Sequence, residues 1–260
     1  MALGSKPKQS PPSKEAVNRA GQLVAELLAE YREGNFDAAD EDRFRFEAIN
    51  PAFELIAWWR GLHAKPLTSV SANLRYYLKP HGPVVVTQRL KRFPTVIDKL
   101  LREPSMKLAG MADIGGCRAL LSDQDAVNAV GKRLRKNWDV RRTRDYVTHP
   151  KPSGYRAVHH IIRRKGRLIE VQLRTPLQDA WANQVEEDSR RVGSNFKGGE
   201  GQTEVHDYYV AVSELLALKE RGEQPDNNLR QRLLHSYEAA RPFLTTDSGG
   251  KRWTQTSSTS

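Results

Sequence analysis

Cysteine is nearly missing from this chain of 260 residues: Cys117 stands alone. One thiol excludes an internal disulfide and a cysteine-rich metal site, and it fits a reducing compartment with Cys117 as a small buried hydrophobe. Long apolar runs are also missing. No segment approaches the ~20 apolar residues of a membrane-spanning helix, and the polar, Pro-rich first thirteen residues lack the apolar centre of a secretory signal. A cytoplasmic location without membrane association is therefore expected. Internal repeats are not visible. Acidic charge is in deficit, with 31 Asp and Glu against 42 Lys and Arg, a formal charge of +11 and a pI near 9.8. Such an excess points to a polyanionic substrate or partner.

The expected organisation has five segments. Residues 1–13 and 245–260, rich in Ser, Thr, Pro, Lys and Gly, read as disordered tails. Residues 14–83 read as a helical N-terminal extension. Its first helix carries Val17, Ala20, Leu23, Val24, Leu27, Leu28 and Tyr31 at helical spacing, with Gly34 as a stop. A second helix is expected from Asn50 as N-cap and Pro51 in the first turn, bearing Phe53, Ile56, Ala57 and Trp59.

Residues 84–190 read as the core, in which short β-branched runs alternate with helical patterns. Strands are expected at 84–90, 114–121, 140–147, 157–162 and 168–174, and helices at 94–102, at 123–136 behind a Ser122 cap, and from the Thr175 cap with Pro176. Residues 191–244 read as C-terminal helices, within 205–218 and 229–240. The fold class is α+β, with helices on the sheet and at both ends.

Four segments carry the chemistry. In 168–174, alternation sends Ile169, Val171 and Leu173 to one face and Glu170, Gln172 and Arg174 to the other, a core-facing row opposite a polar one. In 86–91, Arg89 and Lys91 share a face just before a helix opens. Asp113-Ile-Gly-Gly-Cys-Arg118 places two glycines where the backbone can be approached closely. Plain alternation puts Asp113 and Arg118 on opposite faces, so their joint use needs a bulge or a loop position for Asp113. The fourth segment, 145–159, is rich in turn formers and carries Asp145, Tyr146, His149, Lys151, Tyr155, Arg156 and His159.

In order and spacing, these segments resemble the synthetase domain of the RelA/SpoT family, over roughly 84–190. The shared motifs are Arg-x-Lys at Arg89 and Lys91, Asp-Ile-x-Gly-x-Arg at Asp113 to Arg118, the Asp-Tyr…Pro-Lys-Pro…Gly-Tyr…His loop, and Glu-Val-Gln-x-Arg-Thr at Glu170 to Thr175. The resemblance implies a mixed, nucleotidyltransferase-like five-stranded sheet that moves the β,γ-pyrophosphate of ATP to a ribose 3′-hydroxyl with Mg²⁺. By that analogy Asp113 holds the metal, and Glu170 either joins it or takes the acceptor proton. Arg89 and Arg118 clasp the adenine and Lys91 meets the triphosphate. Tyr155 stacks on the acceptor base, and Lys151, Arg156 and His159 surround the acceptor's phosphates or ribose. Gln172 and Arg174 line the cleft floor or support it. The sequence departs from the family at Arg92 for the usual Ser, at Ser153 for Asn, and at Glu187 for the His beside the matching Glu186.

No His-Asp cluster of the hydrolase type precedes these motifs, where only His63 and His81 occur, so a small, single-domain form is expected. Small members of the family use either GDP or GTP, making (p)ppGpp, or the 3′-terminal adenosine of tRNA, acting as toxins with an antitoxin partner. The cations Lys132, Arg133, Arg135, Lys136, Arg141, Arg142, Arg144, Arg163, Arg164, Lys165 and Arg167 crowd the sequence around the acceptor loop. A broad positive surface suits several RNA phosphates, so the expectation leans to tRNA over a guanosine nucleotide, ahead of a non-catalytic RNA-binding module.

Overall fold

The computed structural model describes residues 10–33 and 46–245, with side chains from residue 49 onward in the second stretch. The stop expected at Gly34 and most of both expected tails lie outside these residues. Along the chain run α1 (Lys14–Glu33), α2 (Phe46–Gly61), α3 (Ala64–Leu78), β1 (Val85–Leu90), α4 (Phe93–Arg102), β2 (Gly115–Leu120), α5 (Gln124–Asn137), β3 (Val140–Asp145), β4 (Val158–Arg164), β5 (Arg167–Arg174), α6 (Pro176–Val192), α7 (Thr203–Glu220) and α8 (Asn227–Thr245).

The five strands form one sheet in the order β1-β2-β5-β4-β3. Its register follows from the hydrogen bonds that flank the strands. Lys91 N–H donates to Ile114 and Leu121 N–H to Arg174, which sets β1 antiparallel to β2 and β2 parallel to β5. Arg163 N–H donates to Asp139 and Tyr146 N–H to Ala157, the pattern of an antiparallel β3–β4 pair. β4 and β5 join through Lys165 and Gly166 at φ 49° and 73°, the two positive angles of a type I′ hairpin turn. The sheet is therefore mixed, the expected α+β class.

The chain divides into two compact units. The first contains residues up to 119 with 129–143 and 159–173. Its helical core packs α1 against α2 and α4, burying Val17, Val24, Ile56, Trp59, Val96, Leu100 and Met111. The second contains 120–128, 144–158 and residues from 174 onward. There α6, α7 and α8 gather Trp181, Val185, Phe196, Val205, Tyr209 and Ala240 around Tyr155 and Ala157.

Local chemistry explains most element ends, and two expectations need correction. The α6 start is as expected: Thr175 accepts from Gln178 N–H while the Gln178 side chain accepts from Thr175 N–H, a capping box followed by Pro176. α5, however, is capped by Asp123, whose Oδ1 accepts from Ala126 N–H at 2.8 Å, and Ser122 only donates to that carboxylate. α2 begins at Phe46, so Pro51 lies inside it instead of in its first turn. Ile49 and Ala52 are already core residues, and their burial favours helix on both sides of the proline. α3 falls inside the expected helical extension 14–83, which the sequence reading did not resolve into a separate helix there. Leu67, Val70, Leu74 and Leu78 recur at three- and four-residue steps and are all buried, a helical stripe partly disguised by the intervening polar residues.

Candidate active site

In the first unit the chemistry gathers on one carboxylate. Asp113 lies in the turn just before β2, so the loop position, not a bulge, is what frees it from the strand's alternation. Lys91, one residue past β1, has its backbone fixed to Ile114 and its ammonium 2.8 Å from Asp113 Oδ2. Lys99 reaches Oδ1 of the same carboxylate at 3.1 Å from α4. Burial alone would push the Asp113 carboxyl upward, but the two ammonium groups outweigh it and hold the carboxyl below the usual carboxylate range. The sequence reading missed Lys99. Its signal was a cation on the polar side of an α4 whose other face buries Val96, Ile97 and Leu100.

The glycines after Asp113 permit close packing. A Cβ on Gly115 would lie 2.8 Å from Ile169 Cδ1, and one on Gly116 would lie 3.7 Å from the Glu170 carbonyl oxygen. β2 alternates in burial, with Cys117 and Ala119 buried and Arg118 half-buried on the other face. Arg89, on β1, is exposed.

Glu170 anchors a second polar cluster of this unit. His159 Nδ1 lies 3.0 Å from Oε1, and Gln172 Nε2 donates to Oε2 at 2.7 Å. Glu170 is only 8% exposed. Burial pushes its carboxyl up, yet the hydrogen bond and charge of His159, the Gln172 hydrogen bond and the charge of Lys99 together draw it down from 4.5 to about 2. Glu170 is thus ionised at neutral pH. Two residues expected around the acceptor, His159 and Gln172, here hold the Glu170 carboxylate.

Among the described residues no group of three His, Cys, Asp or Glu side chains could enclose a metal. Mg²⁺ does not need one: it is commonly held by one or two carboxylates together with substrate phosphates and water. Asp113 and Glu170, both ionised, fit that pattern.

The second unit holds the loop 144–158. Asp145 builds its entry, accepting from Val147 N–H at 2.9 Å and from the N–H and hydroxyl of Thr148 at 3.0 Å each. His149 is exposed. Gly154, at φ 84°, packs so closely on α7 that a Cβ would lie 3.0 Å from Ser213 Cβ and 3.1 Å from the Tyr209 carbonyl oxygen, and Ser213 donates to the Gly154 carbonyl at 2.5 Å. Tyr155 is consequently interior, 1% exposed. Its ring meets Tyr146 edge-on at 5.8 Å, and Lys197, Arg174 and Lys151 stand 5.0, 5.1 and 5.3 Å from its centroid. The base-stacking role expected of Tyr155 does not suit a ring so covered. Tyr146, half-buried, is the more open of the two tyrosines.

Arg174 is wholly buried, paired with Asp179 at 3.0 Å and donating to the Tyr155 hydroxyl at 2.6 Å. Of the two roles open to it, this geometry is that of support. Arg156 donates to the Val147 carbonyl at 3.2 Å and lines a cleft with residues of α7 and α8. Ser153 donates to the Lys197 carbonyl, and Glu186 pairs with the Lys197 ammonium at 2.5 Å.

Residues 88–190 match the model of the region found in RelA and SpoT proteins. The GTP pyrophosphokinases YjbM and YwaC of Bacillus subtilis are each 32% identical to this chain, over 123 and 120 residues, or 42% and 40% of it. The chain spans only 58% and 57% of these two relatives. Among solved structures, the small alarmone synthetase 1 of Bacillus subtilis bound to its product pppGpp superposes with a TM-score of 0.54 at 23% identity, covering 63% of this chain and 93% of that one. A GTP pyrophosphokinase family protein from Streptococcus pneumoniae gives the same TM-score at 25% identity, covering 68% and 97%. Four motifs in order, the matched region and the shared sheet agree that residues 88–190 form a region similar to that of RelA and SpoT proteins, on a fold like that of the small alarmone synthetases.

Proposed function

We propose that the protein is an ATP-dependent pyrophosphotransferase that moves the β,γ-pyrophosphate of ATP to the ribose 3′-hydroxyl of GDP or GTP, releasing AMP and (p)ppGpp. The observation that carries this reading is the pair of ammonium groups, Lys91 and Lys99, gathered on Asp113. Phosphoryl-type transfer needs charge neutralisation and alignment more than covalent help from the protein. Two lysines already held together provide the first. Arg89 and Arg118 take the adenine, Lys91 and Lys99 the triphosphate. Asp113 and Glu170 hold Mg²⁺, which when bound neutralises phosphate oxygens. Glu170 is ionised and can equally accept the acceptor's proton. His159 and Gln172 act through it, as positioning residues. Lys151 remains the cation of the acceptor loop, over both tyrosine rings.

The guanosine nucleotide replaces the tRNA acceptor expected from charge. The relatives are named as GTP pyrophosphokinases, and one neighbour carries pppGpp. Several cations behind the tRNA expectation also have other work. Arg163 and Arg141 pair with Asp139, Arg133 lies over Tyr77, Arg164 over Trp138 and Arg167 over Trp59. That leaves less free positive surface than the bare count suggests.

The experiment offers ATP labelled in its terminal phosphates with GDP, GTP or total tRNA. Label should pass to GDP and GTP and disappear with Asp113→Ala or Glu170→Ala. Label in tRNA alone would overturn the acceptor, and label in none of them would overturn the transfer itself.

A further inference from the structure

The second unit carries a polar cleft between α7 and α8 that the proposed reaction does not use. It encloses about 370 Å³ and is lined by Arg156, Arg221, Arg232, Glu214, Gln224 and Asn228, among others. That volume is in the range of about 300–1,000 Å³ usual for small-molecule sites.

Its three arginines are not equivalent. Arg232 is satisfied by Glu214 through two contacts of 2.9 and 3.3 Å, and Arg221 is paired with Glu223 at 2.8 and 2.9 Å. Arg156 is different. Among the described residues its guanidinium donates only to the Val147 carbonyl, and its Nε is buried with no hydrogen-bond partner there. The acids whose charge reaches it are already engaged, Glu214 by Arg232, and Glu220 by the Thr175 hydroxyl and Gln178. Arg221 adds a like charge, and burial together with that charge disfavours the protonated form of Arg156. A guanidinium offers five N–H donors in a planar fork matched to phosphate oxygens, and leaving them unmet in a half-buried position costs free energy. The strain is also fixed in place, because Gly154 ties the loop to α7 through Ser213 two residues before Arg156.

We propose that the α7–α8 cleft is a binding site for a small phosphate-bearing anion, whose oxygens are received by Arg156 and Arg221 while Gln224 and Asn228 meet the rest of the ligand. An anion there supplies the counter-charge that Glu214 and Glu220 cannot. The proposal does not depend on the transfer reaction.

The test is calorimetric titration of the full chain with inorganic pyrophosphate and with AMP, in a Lys91→Ala, Arg118→Ala background that silences the proposed donor site. At least one of the two probes should still bind with one equivalent. Adding Arg221→Ala should weaken that binding about tenfold, the scale of a lost hydrogen bond to a charged group. Adding Arg156→Leu should weaken it further. Stronger binding of AMP assigns the ligand to nucleotides, and stronger binding of pyrophosphate to inorganic phosphates. The proposal is overturned if neither probe binds in the silenced background, or if Arg221→Ala leaves the affinity unchanged. Arg221 is exposed and its only described carboxylate partner is Glu223, so this variant decides the matter even where Arg156→Leu fails to fold.

Discussion

Replacing His159 with alanine tests the electrostatics of the buried carboxylate. In the intact protein, His159 is the strongest influence opposing burial at Glu170, and the net result is a carboxyl lowered from 4.5 to about 2. At about 1.4 kcal/mol for each tenfold change, this amounts to about 3 kcal/mol in favour of the ionised, folded form. A carboxyl lowered on folding contributes fully above its unfolded value. Its contribution is lost as pH falls from 4.5 towards 2. His159→Ala leaves Gln172 as the hydrogen-bond partner and burial opposed mainly by the distant charge of Lys99. Urea denaturation at pH 7 should show a loss of about 3 kcal/mol, the size found when one member of a buried pair is removed. Between pH 4.5 and pH 3.5 the intact protein surrenders about 1 kcal/mol of this contribution, so the gap between the two proteins should close by that amount. In a Glu170→Gln background, His159→Ala should cost far less, because the charge it serves is gone. Two outcomes together would refute the reasoning: additive losses within about 0.5 kcal/mol, and a gap that does not change with pH.

Two more substitutions probe the second unit. Gly154→Ala introduces a side chain at φ 84° with Ser213 Cβ 3.0 Å and the Tyr209 carbonyl 3.1 Å away. It should destabilise by about 2 kcal/mol or more, read as a lower melting temperature, and an unchanged melt would show that the loop does not rest on α7 as described. Arg174→Met removes the guanidinium but leaves Asp179 largely buried and the Tyr155 hydroxyl without its donor. A loss of about 3–5 kcal/mol is expected in denaturant titration. Stability equal to the parent would mean that Arg174 is held for a ligand and not for the fold.

What the sequence disclosed follows the range of the forces involved. Alternation in 168–174 assigned the faces correctly, since Ile169, Val171 and Leu173 are fully buried and Glu170 and Gln172 share the opposite side. The α6 start was equally legible, because its Thr175 cap and first-turn Pro176 are adjacent in the chain. Tyr155 was not. Its burial comes from Trp181 and Tyr209, 26 and 54 residues further on, and no local pattern reports partners at that distance. Lys99 escaped for a related reason: on α4 it is one more surface cation, and only the turn before β2 brings Asp113 within 3.1 Å of it. The charge count overstates the free positive surface for a similar reason, because a count of arginines does not reveal which of them lie over Trp138, Trp59 and Tyr77.

The placement of Asp113 between two lysines bears on how the proposed phosphate site persists before its ligand arrives. Two ammonium groups drawn to one point repel each other, at about 4 kcal/mol for charges 4 Å apart where the effective dielectric constant is about 20. A carboxylate at 2.8 and 3.1 Å cancels that repulsion and fixes both side chains. A polyphosphate entering the proposed donor site takes over the carboxylate's task, and the lysines exchange one anion for another with little reorganisation. Asp113 would then act twice, as counter-ion to the lysines without ATP and as a metal ligand with it. Asp113→Asn separates the two roles. It removes the counter-charge but preserves shape, so ATP binding without Mg²⁺ should be retained or strengthened while transfer is lost. A variant that lost Mg²⁺-free ATP binding as completely as turnover would show that the lysines need the carboxylate even when phosphate is present.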